Sequence, residues 1–416
     1  MPGFRTLSLL ITLFLACPTL LTATTYYLHP QGDDANTGLG KSKRKAFATV
    51  QRALDALAGG DVLILAPGDY LLPDVARLRD RSGTAERPTT IIAQKPWRTN
   101  LIIENKKGGL WIHDSHHVLV EGLRIRHAYP DDPEKNWATG LQAFDSDYVT
   151  FRNNYVQDCG CGGISFREGD YATIIYNVVR GNARHSPWNC SGISVYQPEQ
   201  LDDKPGFHIQ ILANLAYNNE CDIPFNVGQH HHDTPTDGNG IILDDFQNSQ
   251  RTGYPPYLAE TLVTANHVYN NGGAGIKAYE VDRATITSNV VFLNLRVLNK
   301  YPKVPGEISI AWCHGTFEVE KNVTLSRPNV AAYSFEFVGD APEYQLLTSE
   351  NAFYGPVKID APEADLTQIS ITALKASWVQ MDKAWKNLAW MIEEDHGRPR
   401  DLRLAFPFSY LPNEHR

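Results

Sequence analysis

A short phrase, Gly-apolar-x-apolar, recurs along most of this chain and limits its possible folds more than any composition figure. It begins at Gly109, Gly140, Gly163, Gly192, Gly240 and Gly275, and once more at Glu307-Ile308. Successive starts lie 23 to 48 residues apart, within the range of solenoid units. Each phrase is followed by a turn, a second apolar run, and an Asn with further apolar residues. Those asparagines are Asn154, Asn177, Asn214, Asn266, Asn289, Asn322 and Asn351.

Strands this short cannot hold themselves together. Stacked on equivalent strands about 4.8 Å away, they form continuous parallel sheets around an apolar interior. The repeat therefore predicts an all-β chain built as a parallel β-solenoid. The Asn column predicts a turn that tolerates left-handed backbone, with side-chain amides bonding from turn to turn. Asn322-Val323-Thr324 fits a glycosylation acceptor but lies on this column, so it is read as structural. Leucine-rich and propeller repeats lack their own spacing here.

The flanks differ from the repeat. Arg5 and the apolar run Leu7–Leu21, with Ala23 as a cleavage point, predict a signal peptide over residues 1–23 and hence secretion to the periplasm or beyond. Ala16-Cys17 resembles a lipoprotein site, although Phe14 and Leu15 fit that pattern poorly. No later stretch has about 18 apolar residues in a row, so no membrane span is expected. Residues 24–107 are expected to form an N-terminal cap and the first coils, with helical spacing over Phe47–Leu57. Residues 108–360 are expected to form the core. Residues 361–416 leave the repeat as a partly helical tail, Leu374–Glu394 in particular, packing on the solenoid and blunting its open edges. A monomer is expected.

The net charge of −9 argues against a nucleic-acid partner. Five cysteines remain beyond Cys17, an odd number that leaves a thiol over. Cys161 and Cys190 each precede a repeat glycine by two residues. They are expected to stack on adjacent turns at bonding distance, as a bridge or as a free buried pair.

Function is sought where the repeat is broken. The stretch Asp237 to Phe246 carries three carboxylates and an amide, and His230-His231-His232-Asp233 lies just before it. Alternation assigns faces. Gln142, Ser165, Ser194, Ile242, Lys277 and Ser309 form one outward column, and Phe144, Arg167, Tyr196, Asp244, Tyr279 and Ala311 the next. Arg167, Tyr196, Asp244, Lys277 and Tyr279 should then share one patch. Polar insertions at Gln197–Lys204, Gln229–Thr236 and Asn248–Tyr257 should wall a groove beside it.

Asp237, Asn239, Asp244 and Asp245 have the oxygen ligands of a hard-cation site, with calcium the expected ion. The same residues also suit Asx turns around Gly238 and Gly240. Lys277 is either a base in the groove or a solvated sheet lysine. Arg167 either grips a substrate carboxylate or pairs with Glu168 or Asp170. Three consecutive histidines cannot all face one zinc ion, so His230 and His232 are read as substrate contacts. His185, Trp188 and Tyr196 suit sugar stacking and hydrogen bonding, with Tyr279 beside them.

From about Thr25 to Tyr354 the repeat resembles right-handed parallel β-helix proteins of the pectate-lyase-like superfamily. The opening Tyr26-Tyr27-Leu28, Gly32-Asp33-Asp34-Ala35-Asn36-Thr37-Gly38, Phe47-Ala48-Thr49-Val50 and Ala66-Pro67-Gly68-Asp69-Tyr70 is similar to the start of many secreted members. The resemblance implies a single-stranded, right-handed parallel β-helix with a capping helix. It also implies β-elimination on an acidic, uronate-containing polysaccharide. In that reading Asp237, Asp244 and Asp245 hold a cation, Lys277 is the base and Arg167 grips carboxylate. Two other classes stay open: a polysaccharide hydrolase using Asp244 with Asp237 or Asp245, and a carbohydrate-binding or surface protein without catalysis.

Overall fold

The computed structural model describes residues 23–227, 230–231, 234–297, 305–313, 315–337, 344–360 and 370–373. The expected signal peptide, Cys17, His232, Asp233 and the expected helix at 374–394 lie outside the described residues.

The chain winds as a parallel β-helix with three sheets. One coil runs Thr139–Phe144, Val149–Arg152 and Tyr155–Gln157, and each strand pairs in parallel with its counterpart one coil earlier and later. The strand type that opens with the repeat glycine forms a ten-stranded sheet, called here the groove sheet. The apolar residues after each ladder asparagine form a third strand, where the sequence reading counted two strands per coil. The parallel stacking continues past the expected end at residue 360, because Ser370–Ala373 pairs with Tyr344–Tyr354.

Inward residues are the ones alternation selects. Ile164, Phe166, Ile193, Val195, Ile241, Leu243, Ile276 and Ala278 are fully buried. Each buried aliphatic side chain of this kind contributes roughly 1.5–3 kcal/mol relative to exposure. At the N-terminal end the helix Val50–Ala56 buries Val50, Ala53 and Leu54. Thr49 caps it by accepting from the Arg52 N–H at 3.4 Å, and Asp34 of the opening turn accepts from the Ala48 and Thr49 N–H groups at 2.9 Å. The opening motif thus fixes the helix that closes the barrel end.

The asparagine ladder runs as expected. From Asn154 through Asn177, Asn214, Asn266, Asn289 and Asn322 to Asn351, each backbone N–H donates to the next Asn Oδ1 at 2.9 to 3.0 Å. The left-handed residues are, however, those just before the ladder: Asn153, Tyr176, Ala213, Ala265, Ser288, Lys321 and Glu350, with φ of 50 to 59°. The asparagine accepts hydrogen bonds in the turn, while its neighbour carries the backbone strain.

A second ladder, Asn182, Asn219, Asn271 and Asn294, lies five residues further on and was not anticipated. Together with the third-strand valines it leaves no room for a side chain at the repeat glycines. A Cβ on Gly240 would sit 2.2 Å from Val268 Cγ1 and 2.7 Å from Asn271 Nδ2, and one on Gly275 would sit 2.2 Å from Val291 Cγ1 and 2.6 Å from Asn294 Nδ2. Where the glycine is replaced by Glu307, the carboxyl takes the next ladder position and accepts from the Asn294 N–H at 3.0 Å and its Nδ2 at 2.6 Å. Burial pushes this carboxyl up to about 8.

Candidate functional site

The register brings the expected columns together. Phe144, Arg167, Tyr196, Asp244, Tyr279 and Ala311 are consecutive partners across the groove sheet, and Gln142, Ser165, Ser194, Ile242, Lys277 and Ser309 form the neighbouring column. Asp237 enters from the loop before Ile241–Asp244. Its Oδ1 accepts from Asn239 Nδ2 at 3.0 Å and lies 3.6 Å from Lys277 Nζ. Asp237 and Lys277 are 15% and 16% exposed in their side chains, so the ion pair is shielded but reachable.

Asp244 points outward between Tyr196 and Tyr279, one strand from Lys277. Burial is the main reason its carboxyl is pushed up, to about 8; Asp237 adds like charge and Lys277 opposes the shift. Asp237 is raised for the same first reason, with Lys277 and the Asn239 amide pulling it back. At neutral pH the protonated form of Asp244 is therefore favoured beside the Asp237–Lys277 pair. The flanking phenols of Tyr196 and Tyr279 are each pushed up to about 12, mainly by burial, and stay neutral.

The four-ligand cation site expected from sequence does not assemble. Asn239 is fully buried: its Oδ1 accepts from the Ala274 N–H at 2.8 Å, and its Nδ2 donates to Ser191 Oγ and Asp237. Its role is to hold Asp237. Asp245 is also fully buried, because the strand ends at Asp244 and the next residue turns with φ 51°. Its carboxylate accepts from Gln197 Nε2 at 2.5 Å, the Ser249 N–H at 2.7 Å and the Gln250 N–H at 3.2 Å. These contacts tie down the insertion that follows. Asp237 and Asp244 remain, with an ammonium already against Asp237, so the residues present do not fit the expected calcium site. Among the described residues, close groups of ligand type occur at His113, Asp114 and Asp145, and at Asp145, Glu168 and Glu199; neither includes Asp237 or Asp244.

Arg167 is not a free carboxylate grip. Its Nε donates to Glu168 Oε1 at 2.8 Å, and its guanidinium lies 5.5 Å from the centre of the Tyr196 ring. His185 Nε2 lies 3.0 Å from the Pro130 carbonyl, and Trp188 is 61% exposed. Both sit on the loop before Ile193–Tyr196, which a Cys161–Cys190 disulfide holds to the adjacent coil. Cys159, Cys221 and Cys313 are free and buried. His230 forms a small antiparallel pairing with Val227, in a two-stranded sheet of its own.

One groove wall was visible only as two insertions. The structure braces them together: Arg251 bonds Glu199 at 2.7 Å, Leu258 N–H donates to Gln200 Oε1 at 3.0 Å, and Asn248 Nδ2 donates to the Pro198 carbonyl at 3.5 Å. Gln250 reaches back to the Tyr196 hydroxyl at 3.3 Å. Trp312, 43% exposed, extends the aromatic lining beyond Tyr279 at 6.4 Å between rings. Sequence reasoning missed Trp312 because it sits at an irregularity near the end of the strand Gly306–Cys313, where the register shifts between Ala311 and Cys313 and alternation breaks.

Comparison with known proteins agrees with this architecture. The family described as "Right handed beta helix region" matches residues 97–252. No curated protein sequence matches the chain. Pectate lyase Pel9A is similar in structure at 15% identity, covering 85% of this chain and 87% of that one, with a TM-score of 0.47. The A-module of a mannuronan C-5 epimerase from Azotobacter vinelandii is similar at 14% identity over 75% of this chain and 94% of that one, with a TM-score of 0.41. An alginate lyase from a Paenibacillus species is similar at 15% identity, 75% and 96% coverage and a TM-score of 0.37. The parallel register of all three sheets makes the described chain a parallel β-helix, and the family match marks residues 97–252 as a right handed beta helix region.

Proposed function

We propose that this is a secreted polysaccharide-active enzyme that cleaves an acidic, uronate-containing polymer by β-elimination at Asp237, Asp244 and Lys277. The observation that carries the reading is the placement of Asp244, outward between Tyr196 and Tyr279 and one strand from the Asp237–Lys277 pair, with burial pushing its carboxyl up to about 8. The fold likeness to proteins titled pectate lyase and alginate lyase is compatible with it.

Elimination from a uronate needs the sugar carboxylate neutralised, so that the adjacent C–H becomes acidic. Asp244 in its protonated form donates a hydrogen bond to that carboxylate without like-charge repulsion. Lys277 is the base: its ammonium first passes a proton to the Asp237 carboxylate paired with it, and the amine so formed removes the C–H proton. The C–H electron pair forms the C=C bond, the glycosidic C–O bond breaks, and the ammonium returns its proton to the leaving oxygen. Asp237, oriented by Asn239, fixes where the amine stands. Tyr196 and Tyr279 supply ring faces and neutral hydroxyls for the sugars on either side.

A hydrolase remains the second reading, and one observation favours it. Two carboxyls whose neighbours act on them differently are what acid and base roles require, and Lys277 pulls Asp237 down while Asp237 pushes Asp244 up. The two readings separate in one assay of the purified protein with pectate, alginate, chondroitin and heparin-type polymers. Ultraviolet absorbance rising together with reducing ends establishes elimination. Reducing ends without absorbance establish hydrolysis and overturn the lyase reading, and silence in both channels overturns both.

A further inference from the structure

A second concavity lies away from the groove, on the outer face of the sheet formed by Val118–Glu121, Val149–Arg152, Ala172–Ile175 and Phe207–Leu212. It has a volume of about 300 Å³, at the lower end of the range for small-molecule sites. Its floor is the outward column Leu119, Thr150, Thr173 and Gln210, which are register partners on successive coils. Along one side, the rings of His117, Tyr148, Tyr171 and His208 stack at 4.3, 4.4 and 4.0 Å between centres. The rings cover each other's faces, so their edges border the cleft.

What this cleft offers is hydrogen-bonding capacity that the protein leaves open. Tyr171 is fixed by Asp202 at 2.6 Å and His208 at 2.9 Å, and His208 by the buried Asp170 at 2.9 Å. Among the described residues, the hydroxyls of Tyr148, Thr150 and Thr173 have no protein partner. Charges around the rim are already paired: Arg152 with Glu121 and Lys204 with Asp202, both at 2.5 Å. A row of hydroxyls about one strand spacing apart, with Leu119, Pro88 and Phe207 for apolar contact and no unpaired charge, complements a neutral polyhydroxylated chain.

We infer that this cleft is a second, non-catalytic binding site for a neutral oligosaccharide, on a different sheet from the Asp237–Lys277 groove. The inference does not depend on the reaction proposed for the groove. The test titrates short neutral xylo-, manno-, cello-, malto- and galacto-oligosaccharides into the full protein, following binding by calorimetry and by protein chemical shifts. Thr150→Val and Tyr148→Phe keep side-chain shape and remove only hydroxyls, so both variants should fold. The expected result is binding of at least one series, weakened tenfold or more in each variant and unchanged in Lys277→Ala. Absence of binding across the panel, unchanged affinity in both hydroxyl variants, or loss of binding in Lys277→Ala would each overturn the inference.

Discussion

Two polar regions of this molecule, one fully buried and one half-buried, are built on opposite terms. In the asparagine ladder each amide inside the run accepts from the coil before it and donates to the coil after it; Asn214, for example, bonds Asn177, Ile174 and Asn266. In the groove, Asp237, Asp244 and Lys277 share one ion pair and one amide contact. Burial of a polar group is therefore an ambiguous signal on its own. A satisfied group holds the fold, while an under-satisfied one keeps its proton and its reach for something else.

The comparison can be broken from either side. The largest effect is expected in the groove: Lys277→Ala should lower turnover at least ~1000-fold, about 4 kcal/mol of transition-state stabilisation, with an unchanged unfolding curve in urea. Near-normal turnover in that variant would return Lys277 to the status of a surface lysine. In the ladder, Asn214→Ala strands the Asn177 N–H and amide and should cost about 3 kcal/mol in the same unfolding experiment. A loss below about 1 kcal/mol would mean that the ladder is decoration on a stack held by its apolar core.

Glu307 sits between the two cases, a ladder member with a proton. Its carboxyl is pushed up to about 8 in the folded chain, while an unfolded glutamate titrates near its ordinary value. Across that window the folded state holds more protons, so stability falls as pH rises and levels off above about 8. Glu307→Gln removes this slope, and the variant should gain steadily on the parent as pH rises to 8, having matched it in acid. Parallel stability profiles would show that Glu307 is ionised throughout. The smallest effect is expected at Arg167, whose guanidinium is held by Glu168: Arg167→Gln should change the initial rate less than about threefold. A large loss would restore the carboxylate grip expected from sequence.

Much of this was legible before the structure, and the boundary has a physical cause. Period-two alternation placed both outward columns in register, because one strand spacing carries a residue type straight to the next coil. The first ladder was visible as repeated Asn before apolar pairs. The second was equally visible, five residues later at Asn182, Asn219, Asn271 and Asn294, but was overlooked because the third strand was not separated from the second. Asp244 and Asp245 could not be told apart. They are neighbours in sequence, yet the turn after Asp244 sends one carboxyl to the groove and the other into the base of the insertion. The Arg167–Glu168 pair had been weighed against substrate binding, and sequence offers no means of deciding between them. The proton on Asp244 depends on enclosure by several coils and has no local signature.

The measurement that tests the central claim most directly is the initial rate of ultraviolet-absorbing product formation by the parent protein and by Asp244→Ala on the same uronate polymer, with the unfolding midpoint of each. The account predicts a rate at least ~100-fold lower in the variant, within the span of general acid–base contributions, and a midpoint equal to or above the parent's because a disfavoured buried carboxyl is gone. A variant that eliminates at the parent's rate would contradict the claim that the under-satisfied carboxyl is the working centre of the groove.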